Sequence, residues 1–406
     1  MTETAARKRI VIVGAGVAGS ILAYGLKDVA GAEVICIERA SPEDQSDAGT
    51  GLNVGPNAIK ALHSFLPDLA ASLVGQSLPW ASWRISLTGG RELMNLPLLD
   101  VADNHGIRIR WSALYRLLRQ PVRAHVRFAT EVVAMRYARA GEAGPIVIET
   151  RHRQTGVTTL IDGIDLLIAG DGRYSAVRET FFARPEPRFL GVCIFRLLVE
   201  AARPGLIDDY EQWFNGPNRL LAFRVPGEAT YIAGSFPIPA DADVPDAAKT
   251  AAALRTLYTP ADGTPSDQCA FMIDTICSHL DDIHWARLQE CDIAFGDPNG
   301  RILLLGDAAH PMVPTLGQGA TQAMEDACIA VAELRGALAG PAAGLAEAVW
   351  RIEERRRGRV EFVVNFSRDA TDTMLAGADP VSGSLAKNGP GFRAKLARLY
   401  RDVPAA

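Results

Sequence analysis

The chain has 406 residues, 48% of them hydrophobic and 22% charged, which is the composition of an ordinary globular protein with two or three packing units. These proportions exclude disordered, fibrous and disulfide-stapled chains. There are 42 basic and 47 acidic residues, so the net charge is −5 and the chain lacks the positive charge of a general nucleic-acid binder.

A strand, a glycine-rich turn and a helix open the chain. Ile10–Val13 is typical of a buried parallel strand, and it ends at the G-x-G-x-x-G of Gly14–Gly19. Apolar residues then recur at helical spacing, and a second apolar run ends at Glu38. Such glycines permit a tight turn and let a pyrophosphate approach the helix N-terminus, while the acid can accept from a ribose hydroxyl. The pattern predicts dinucleotide binding, with FAD and NAD both open and a ligand-free glycine turn as the alternative.

Two later strands end in turns that pair aspartate with glycine. The apolar run 165–169 leads into Asp171-Gly172, and the run 301–305 leads into Gly306-Asp307. Alone, such a motif is most often only a turn. Because a glycine-rich helix start follows Asp307, its carboxylate can bind polyol hydroxyls, and the N–H groups of 316–319 can face an anion or a carbonyl. For a flavin, these N–H groups would stabilise the negative charge of the reduced ring at its N1/C2=O edge.

Together these motifs resemble the single-component FAD-dependent aromatic hydroxylases, the flavoprotein monooxygenases typified by p-hydroxybenzoate hydroxylase. Gly51–Ala58 is similar to the family's segment beside the flavin ring, and the resemblance covers about residues 8–365. It implies an α/β fold: a Rossmann-like FAD-binding domain, an inserted, mostly antiparallel β substrate domain, and C-terminal helices. The expected division is 1–76, 100–187 and 292–362 for the FAD-binding domain, 77–99 and 188–291 for the substrate domain, and 363–406 for a C-terminal helical tail.

The resemblance also implies the chemistry. The cofactor would be non-covalently bound FAD. NADH or NADPH would be the transient electron donor, and O₂ would be the oxidant. Reduced flavin would form a C4a-hydroperoxide that transfers one oxygen atom to a small phenolic or N-heteroaromatic ring. A flavin-dependent oxidoreductase or halogenase on the same scaffold, and a non-catalytic flavin-binding redox sensor, are the alternatives. A monomer or a homodimer is expected.

The family's cofactor contacts can be carried over by matching motifs. The pyrophosphate would contact Gly14, Gly16, Val17, Ala18 and Gly19, the adenosine end Glu38 and Arg39, and the adenine the backbone of Val132. The flavin ring would lie beside Gly51 and Leu52, with Asp171 and Gly172 forming the DG motif, Asp307 holding the ribityl chain, and Leu316, Gly317, Gln318, Gly319 and Ala320 facing the pyrimidine edge.

One departure from the family concerns the helix that holds Leu114. The family usually has an arginine three residues before this leucine, where its guanidinium reaches FAD. Here Trp111 occupies that position and Arg110 precedes it. Either Arg110 binds FAD with a one-residue shift, or Trp111 replaces the arginine.

The middle of the chain contains strand-like runs similar to the family's substrate sheet. Arg219 and Arg224 flank an apolar run, and Tyr231 begins the next strand. A phenolate or carboxylate on the substrate would pair with an arginine, and Tyr231 could hydrogen-bond a phenol and help remove its proton. With Pro314, whose carbonyl the resemblance places near the ring, these are the candidate substrate-binding residues, and Arg219, Tyr231 and Pro314 are also the catalytic candidates. Surface ion pairs for the arginines and plain packing for Tyr231 are the alternatives.

The remaining features predict structural roles. His310 is expected to order its turn by hydrogen bonding rather than to act as a base. Arg351–Glu361 alternates in charge, which predicts a solvated helix face. The six cysteines form no C-x-x-C pair, so buried thiols in a reducing compartment and no metal site are expected. Without a membrane span or a signal peptide in the sequence, a cytoplasmic protein is predicted.

Overall fold

Sheets of unequal size form the framework, four of them in the described part of the chain. The structure is a computed structural model that describes residues 7–43, 50–139, 144–201, 203–261, 263–339 and 344–403. Its strands are β1 Lys8–Val13, β2 Ala32–Ile37, β3 Gly51–Val54, β4 Leu78–Trp80, β5 Ser82–Leu87, β6 Glu92–Pro97, β7 Gly106–Arg110, β8 Val126–Arg127, β9 Thr130–Tyr137, β10 Ile146–His152, β11 Thr158–Ile164, β12 Leu166–Ala169, β13 Arg188–Val199, β14 Tyr210–Asn215, β15 Asn218–Val225, β16 Ala229–Pro237, β17 His284–Glu290 and β18 Ile302–Leu304. Its α-helices are α1 Val17–Leu26, α2 Pro56–Phe65, α3 Pro67–Gly75, α4 Trp111–Arg119, α5 Ala176–Phe181, α6 Ala251–Tyr258, α7 Asp267–Ser278, α8 Gly319–Leu338, α9 Gly344–Asp369, α10 Pro380–Lys387 and α11 Pro390–Arg401.

A parallel sheet of five strands, in the order β18-β12-β1-β2-β8, carries the glycine-rich turns. Ile10 and Ile12 of β1 belong to the core that includes α1 and α8, whereas Val11 and Val13 belong to the core on the opposite face. Because both faces are buried, β1 is a continuous apolar run rather than an alternating one. Since the strands run parallel, the turns after β1, β12 and β18 meet at one edge of the sheet.

The second large sheet has seven strands in the order β17-β13-β16-β15-β14-β5-β6. Every neighbouring pair is antiparallel except β14 with β5, so the expected mostly antiparallel β sheet is confirmed. All seven strands lie within the two segments predicted for the substrate domain. One face packs against α6 and α7, and the other shares a core with the five-stranded sheet and the C-terminal helices.

Two three-stranded sheets complete the framework, β11-β10-β9 and β3-β7-β4. The second of these contacts the seven-stranded sheet through Arg108 of β7, which is 5% exposed. Its guanidinium donates to the carbonyl oxygen of Pro79 at 3.0 and 2.8 Å and to that of Asp208 in the segment before β14. Arg108 also lies 3.3 Å from the carboxylate of Asp209.

The C-terminal helices are part of the main core. Helix α9 runs unbroken across residues 362 and 363, so the boundary predicted there falls inside one helix. The ring of Phe392 on α11 lies 6.0 Å from that of Trp83, and the ring of Tyr400 lies 6.4 Å from that of Trp80. Among the described helices, none is both long and apolar enough to cross a bilayer.

Candidate functional site

The glycine loop after β1 is shaped by two different requirements. Gly14 has φ +93°, and a Cβ there would lie 2.5 Å from the carbonyl oxygen of Gly170, while a Cβ on Gly19 would lie 1.9 Å from that of Gly14. The protein's own packing therefore requires these two glycines. Gly16 has φ −74°, and the nearest atom to its Cβ would be the Gly170 oxygen at 3.4 Å. A glycine here leaves the backbone open to a group that approaches from outside, which fits a pyrophosphate.

Glu38 follows β2 and lies buried beside this loop. Its carboxylate accepts from the N–H groups of Ala15 at 2.7 Å and Ala40 at 2.9 Å. The guanidinium of Arg119, at the end of α4, lies 3.4 Å from Glu38 and donates from Nε to the carbonyl of Ala15 at 2.8 Å. A carboxylate has about four acceptor positions, so Glu38 keeps capacity for the predicted ribose hydroxyl. Sequence reasoning missed Arg119, because nothing in its neighbourhood along the chain marks it as part of the loop.

The DG motif lies at the adjacent corner. Asp171 accepts from the N–H of Val177 at 3.3 Å, and its Oδ1 is buried without a hydrogen-bond partner in the described ranges. Burial raises the pKa of Asp171, while hydrogen bonds from Ser175 and from backbone N–H groups lower it in part. Gly172 has φ +81°.

Arg178 joins the DG corner to the GD corner. It is 4% exposed and donates to the carbonyls of Ala308 and Ala309, both at 3.1 Å, and of Asp292 at 2.6 Å. Burial lowers the pKa of Arg178, and the nearby Cys291 and Asp292 raise it in part. The turn after β18 is thus held by a side chain of α5, the helix that follows the DG motif.

Hydrogen bonds to Asp326 of α8 hold the GD motif in place. Gly306, at φ +59°, donates its N–H to Asp326 at 2.9 Å, and Nε2 of the fully buried His310 lies 2.6 Å from the same carboxylate. His310 therefore orders the turn, in line with its predicted role. Asp307 follows Gly306 and is half-buried at the sheet edge.

The segment Pro314–Gly319, called here the 314–319 loop, contains Leu316, Gly317, Gln318 and Gly319 and leads into Ala320 of α8. Gly317 has φ +65°, and a Cβ there would lie 2.5 Å from Nδ2 of Asn53 on β3. That Nδ2 is buried without an acceptor among the described residues. The Gln318 side chain accepts from Asn57 at 3.0 Å, so the loop is fixed against the start of α2.

Behind the loop lies a buried network of charges. Arg356 donates to Asp326 and Glu325, both at 2.7 Å, and Arg359 donates to Glu325 at 2.5 and 2.8 Å. Burial would raise the pKa of Glu325, but Arg359 and Arg356 lower it to about 2. The predicted solvated face of Arg351–Glu361 is wrong for Arg356, which is 0% exposed. This side of α9 packs on α8, where the two carboxylates compensate the buried charge.

Arg219 and Tyr231 lie on neighbouring strands of the seven-stranded sheet. Arg219 lies opposite Ser235 and Tyr231 opposite Phe223, so the two side chains share a face. Arg219 is 7% exposed, and its Nε is buried without a hydrogen-bond partner among the described residues. Burial lowers the pKa of Arg219, and Tyr210, Tyr231 and Tyr258 raise it in part. Among the described residues, this buried positive charge has no carboxylate partner.

Tyr231 lies against the strand predicted to run beside the flavin ring. A Cβ on Gly51 would be 2.7 Å from Cβ of Tyr231, so β3 and β16 are in direct contact there. Burial raises the pKa of Tyr231, and the positive charges of Arg196 and Arg219 lower it in part. At neutral pH the phenol is therefore a neutral hydrogen-bond donor. Arg196, which shares this face from β13, was missed by sequence reasoning.

Arg224 does not join this group, and its assignment to the substrate cavity needs correction. It stands five residues after Arg219 on a strand without a bulge, so it points to the opposite face. There it lies 3.3 Å from the carboxylate of Asp208. The ion pair weighed as the alternative from sequence is the better description of Arg224.

Arg110 is engaged by the seven-stranded sheet rather than by the glycine loop. Its guanidinium pairs with both carboxylate oxygens of Glu200, at 2.6 and 2.7 Å, and Nε donates to the carbonyl of Pro226 at 3.2 Å. Glu200 directly follows β13. This arrangement gives no support to Arg110 as the FAD-binding arginine.

The other predicted cofactor residues lie on α1, directly after β2, in β3 and in β9. Val17 and Ala18 form the buried first residues of α1, and Arg39 is exposed directly after Glu38. Leu52 lies in β3 opposite Ile109. Val132 lies within β9, opposite Thr150.

An aromatic cleft adjoins the 314–319 loop. Thr315 and Leu316 from the loop form one wall, and the rings of Trp80, Trp83, Tyr210 and Tyr400 form the others. These residues come from four separated stretches of the chain, so no local sequence signal could have grouped them. Within the described ranges, no cluster of His, Cys, Asp or Glu side chains has an arrangement that would hold a metal ion.

The residues at the sheet edge fit FAD. The glycine loop leaves the backbone open at Gly16, Glu38 lies beside this loop, and Asp307 follows the strand two places away from β1. The buried Nδ2 of Asn53 and Oδ1 of Asp171 both lack hydrogen-bond partners in the described ranges. Gly14–Gly19 would hold the pyrophosphate, Asp307 the ribityl chain and the 314–319 loop the ring edge.

Comparisons with known proteins agree with this geometry. A family model described as "FAD binding domain" matches residues 297–367. The chain is 30% identical over 378 residues to the 3-amino-4-hydroxybenzoate 2-monooxygenase PtnB3 of Streptomyces platensis, covering 89% of this chain and 87% of that protein. It is 28% identical over 366 residues to a 2-heptyl-3-hydroxy-4(1H)-quinolone synthase of Pseudomonas aeruginosa, covering 87% and 86%.

Among solved structures, Klebsiella pneumoniae HpxO complexed with FAD and uric acid matches with a TM-score of 0.78 at 20% identity. The match covers 98% of this chain and 97% of that one. The fold is therefore shared over almost the whole length of both chains. Three glycine-containing turns lie at one edge of the five-stranded sheet, and a relative is 30% identical over most of its length. The chain belongs to the FAD-dependent aromatic hydroxylases, the single-component flavoprotein monooxygenases.

Proposed function

We propose that this protein hydroxylates a small aromatic or heteroaromatic ring that carries an acidic group, using NADH or NADPH and O₂. The ring would bind between the face that carries Arg219 and Tyr231 and the 314–319 loop. The observation that carries this proposal is the buried guanidinium of Arg219, whose Nε has no hydrogen-bond partner in the described ranges. A buried charge without a partner is costly, so an anionic ligand gains strongly from binding there.

The residues around the ring have separable roles. Arg219 pairs with the carboxylate or phenolate of the substrate. Tyr231, whose raised pKa keeps the phenol neutral, donates a hydrogen bond to a ring oxygen and stabilises negative charge on it, which makes the ring a better nucleophile. Pro314 contributes its carbonyl at the ring edge. The aromatic cleft of Trp80, Trp83, Tyr210 and Tyr400 excludes water from one side.

Bound FAD would supply the redox chemistry, accepting a hydride from NADH or NADPH and activating O₂ as the C4a-hydroperoxide implied by the family resemblance. One ring C–H becomes C–OH, the second oxygen atom leaves as water, and NAD(P)H is oxidised to NAD(P)⁺ with uptake of one proton. The names of the relatives support a substrate of this class, since one acts on an aminohydroxybenzoate and a structural neighbour was solved with uric acid.

The test is a turnover assay on the purified holoprotein. Hydroxybenzoates, aminobenzoates, hydroxypyridines and uncharged phenols are offered in turn, and NADH or NADPH oxidation, O₂ consumption and product mass are followed. The proposal expects that at least one acidic ring stimulates NAD(P)H oxidation and that the product contains an oxygen atom from isotope-labelled O₂. Stimulation by uncharged rings alone would contradict the acidic substrate class. An oxygen atom derived from water, or no stimulation by any ring, would contradict the proposed reaction.

A further inference from the structure

We propose that Arg119 and Tyr115 of α4 bind the pyrophosphate of FAD, in place of the arginine that the family usually has where this chain has Trp111. The inference rests on FAD being the cofactor. The sequence left Arg110 and Trp111 as the two candidates for this contact, and the proposal selects neither. The positive charge comes instead from Arg119, two turns further along the same helix.

Three side chains form a ladder on one face of α4. The rings of Trp111 and Tyr115 stack with centroids 5.1 Å apart and an interplanar angle of 29°. The guanidinium of Arg119 lies 4.5 Å from the ring centroid of Tyr115. Residues four apart on a helix are neighbours, so each member of the ladder fixes the next. Arg119 is therefore held in one orientation before any ligand arrives, which reduces the entropy lost on binding.

The ladder ends at the glycine loop. Arg119 donates to the carbonyl of Ala15 at 2.8 Å, between Gly14 and Gly16, and so lies against the turn that would carry the phosphates. Tyr115 is within electrostatic reach of both Glu38 and Asp307, and burial raises its pKa, so the phenol remains a neutral donor. Glu38 and Asp307 mark the adenosine and ribityl ends of the cofactor path, and the pyrophosphate joins these two ends.

The charge balance of the site requires a cation here. The pyrophosphate of FAD carries two negative charges, and it would pass between two carboxylates, those of Glu38 and Asp307. The N-terminus of α1 supplies only about half of an elementary charge. Arg110 is committed to a two-oxygen ion pair with Glu200. Arg119 adds a full positive charge and charge-assisted hydrogen bonds at the same loop.

The experiment measures cofactor affinity in the apoprotein rather than turnover. FAD and riboflavin are titrated into wild type, Arg119→Gln, Arg119→Lys and Tyr115→Phe, with flavin fluorescence as the readout and apoprotein melting temperature as a check on folding. Riboflavin has the same ring and ribityl chain but no phosphate. Arg116→Gln, an exposed arginine on the same helix, is the matched control, and Arg110→Gln tests the rival arginine.

We expect Arg119→Gln to weaken FAD about 10- to 100-fold and Tyr115→Phe to weaken it up to about tenfold, with riboflavin affinity unchanged. Arg119→Lys should fall between wild type and Arg119→Gln, and the salt dependence of FAD affinity should be smaller in Arg119→Gln. The inference would be overturned if Arg119→Gln bound FAD with wild-type affinity. It would also be overturned if Arg119→Gln lost affinity for FAD and riboflavin equally and had a lower melting temperature, or if Arg110→Gln instead lost affinity for FAD alone. Failure of the wild type itself to bind FAD would overturn the cofactor assignment, which is a different result.

Discussion

At the scale of single residues, strand parity decides which arginine of β15 can meet a substrate. Arg219 and Arg224 flank the same apolar run, yet they point to opposite faces because an odd number of residues separates them. One is buried without a carboxylate partner in the described ranges, and the other pairs with Asp208. A buried positive charge without a partner, as at Arg219, lowers the stability of the protein. Such a loss of stability is common at sites that bind a charged group.

Replacing Arg219 by methionine should therefore separate stability from function. We expect KM for an acidic ring to rise about 10- to 100-fold, because a charge-assisted hydrogen bond is lost. The free energy of unfolding should increase by about 1 kcal/mol, because a buried and unpaired charge is removed. Steady-state kinetics and denaturant titration check both expectations, with Arg224→Gln as the control that leaves KM within about threefold. A normal KM in Arg219→Met would count against the proposed anion site.

The glycine loop allows a similar separation. A Cβ on Gly19 would meet the Gly14 oxygen at 1.9 Å, whereas a Cβ on Gly16 meets no described atom closer than 3.4 Å. Gly19→Ala should destabilise the protein by several kcal/mol, on the order of an overpacked core substitution. Gly16→Ala should keep the apoprotein's melting temperature and lose FAD affinity, because its methyl group stands where the phosphates approach. Melting curves and FAD titration of both variants check this, and full FAD affinity in Gly16→Ala would argue against the loop as the phosphate site.

At the scale of elements, buried ion pairs connect helices α8 and α9. Glu325 and Asp326 project from one helix, Arg356 and Arg359 from the other, and three of these four side chains are at most 1% exposed. The same α8 begins at the 314–319 loop and supports the turn that carries Asp307. The network therefore fixes the position of the 314–319 loop and of the turn at Gly306 relative to α9.

Glu325→Gln tests this pairing. Removing one charge leaves Arg356 and Arg359 short of a partner, so we expect a loss of about 3–5 kcal/mol in the free energy of unfolding. Glu347→Gln, which removes an exposed carboxylate 3.7 Å from Arg351 on α9, should change it by less than about 0.5 kcal/mol. Denaturant titration at neutral pH distinguishes the two. Equal small effects would show that the network does not hold the helices together.

The same network predicts an acid limit. The pKa of Glu325 is lowered to about 2 in the folded protein from an ordinary value of 4.5. Its contribution to stability is therefore complete above pH 4.5 and is lost as the pH falls toward 2. Unfolding free energy measured across this window should fall less steeply in Glu325→Gln than in wild type. An identical pH dependence in both proteins would contradict the assignment.

At the scale of the whole molecule, the cofactor side was more predictable than the substrate side. The turns after β1, β12 and β18 depend on residues adjacent in the chain, so glycine and aspartate at fixed offsets mark them locally. Two other features depend on contacts between distant segments: the hydrogen bond from Arg119 to Ala15, and the aromatic cleft. The prediction of a solvated face for Arg351–Glu361 fails for the same reason. The alternating charges of α9 do not show that Arg356 pairs with Glu325 on α8.

The C-terminal helices close the molecule over the cleft, and Tyr400 is the side chain that lines it from that side. Tyr400→Ala should admit water to the cleft, so that more of the NAD(P)H consumed yields hydrogen peroxide instead of hydroxylated product. Peroxide formed per NAD(P)H consumed is the measurement, with the exposed Lys395→Ala on the same helix as the control. Unchanged coupling in Tyr400→Ala would place the water barrier elsewhere.

The stretch from β7 through α4 has a thermodynamic consequence. Arg108 and Arg110 fasten its first half to the seven-stranded sheet, and Arg119 fastens its end to the loop after β1. The same stretch therefore contacts both the sheet that carries Arg219 and the loop after β1. By linkage, any factor by which an aromatic ligand increases the affinity for FAD is the factor by which FAD increases the affinity for that ligand.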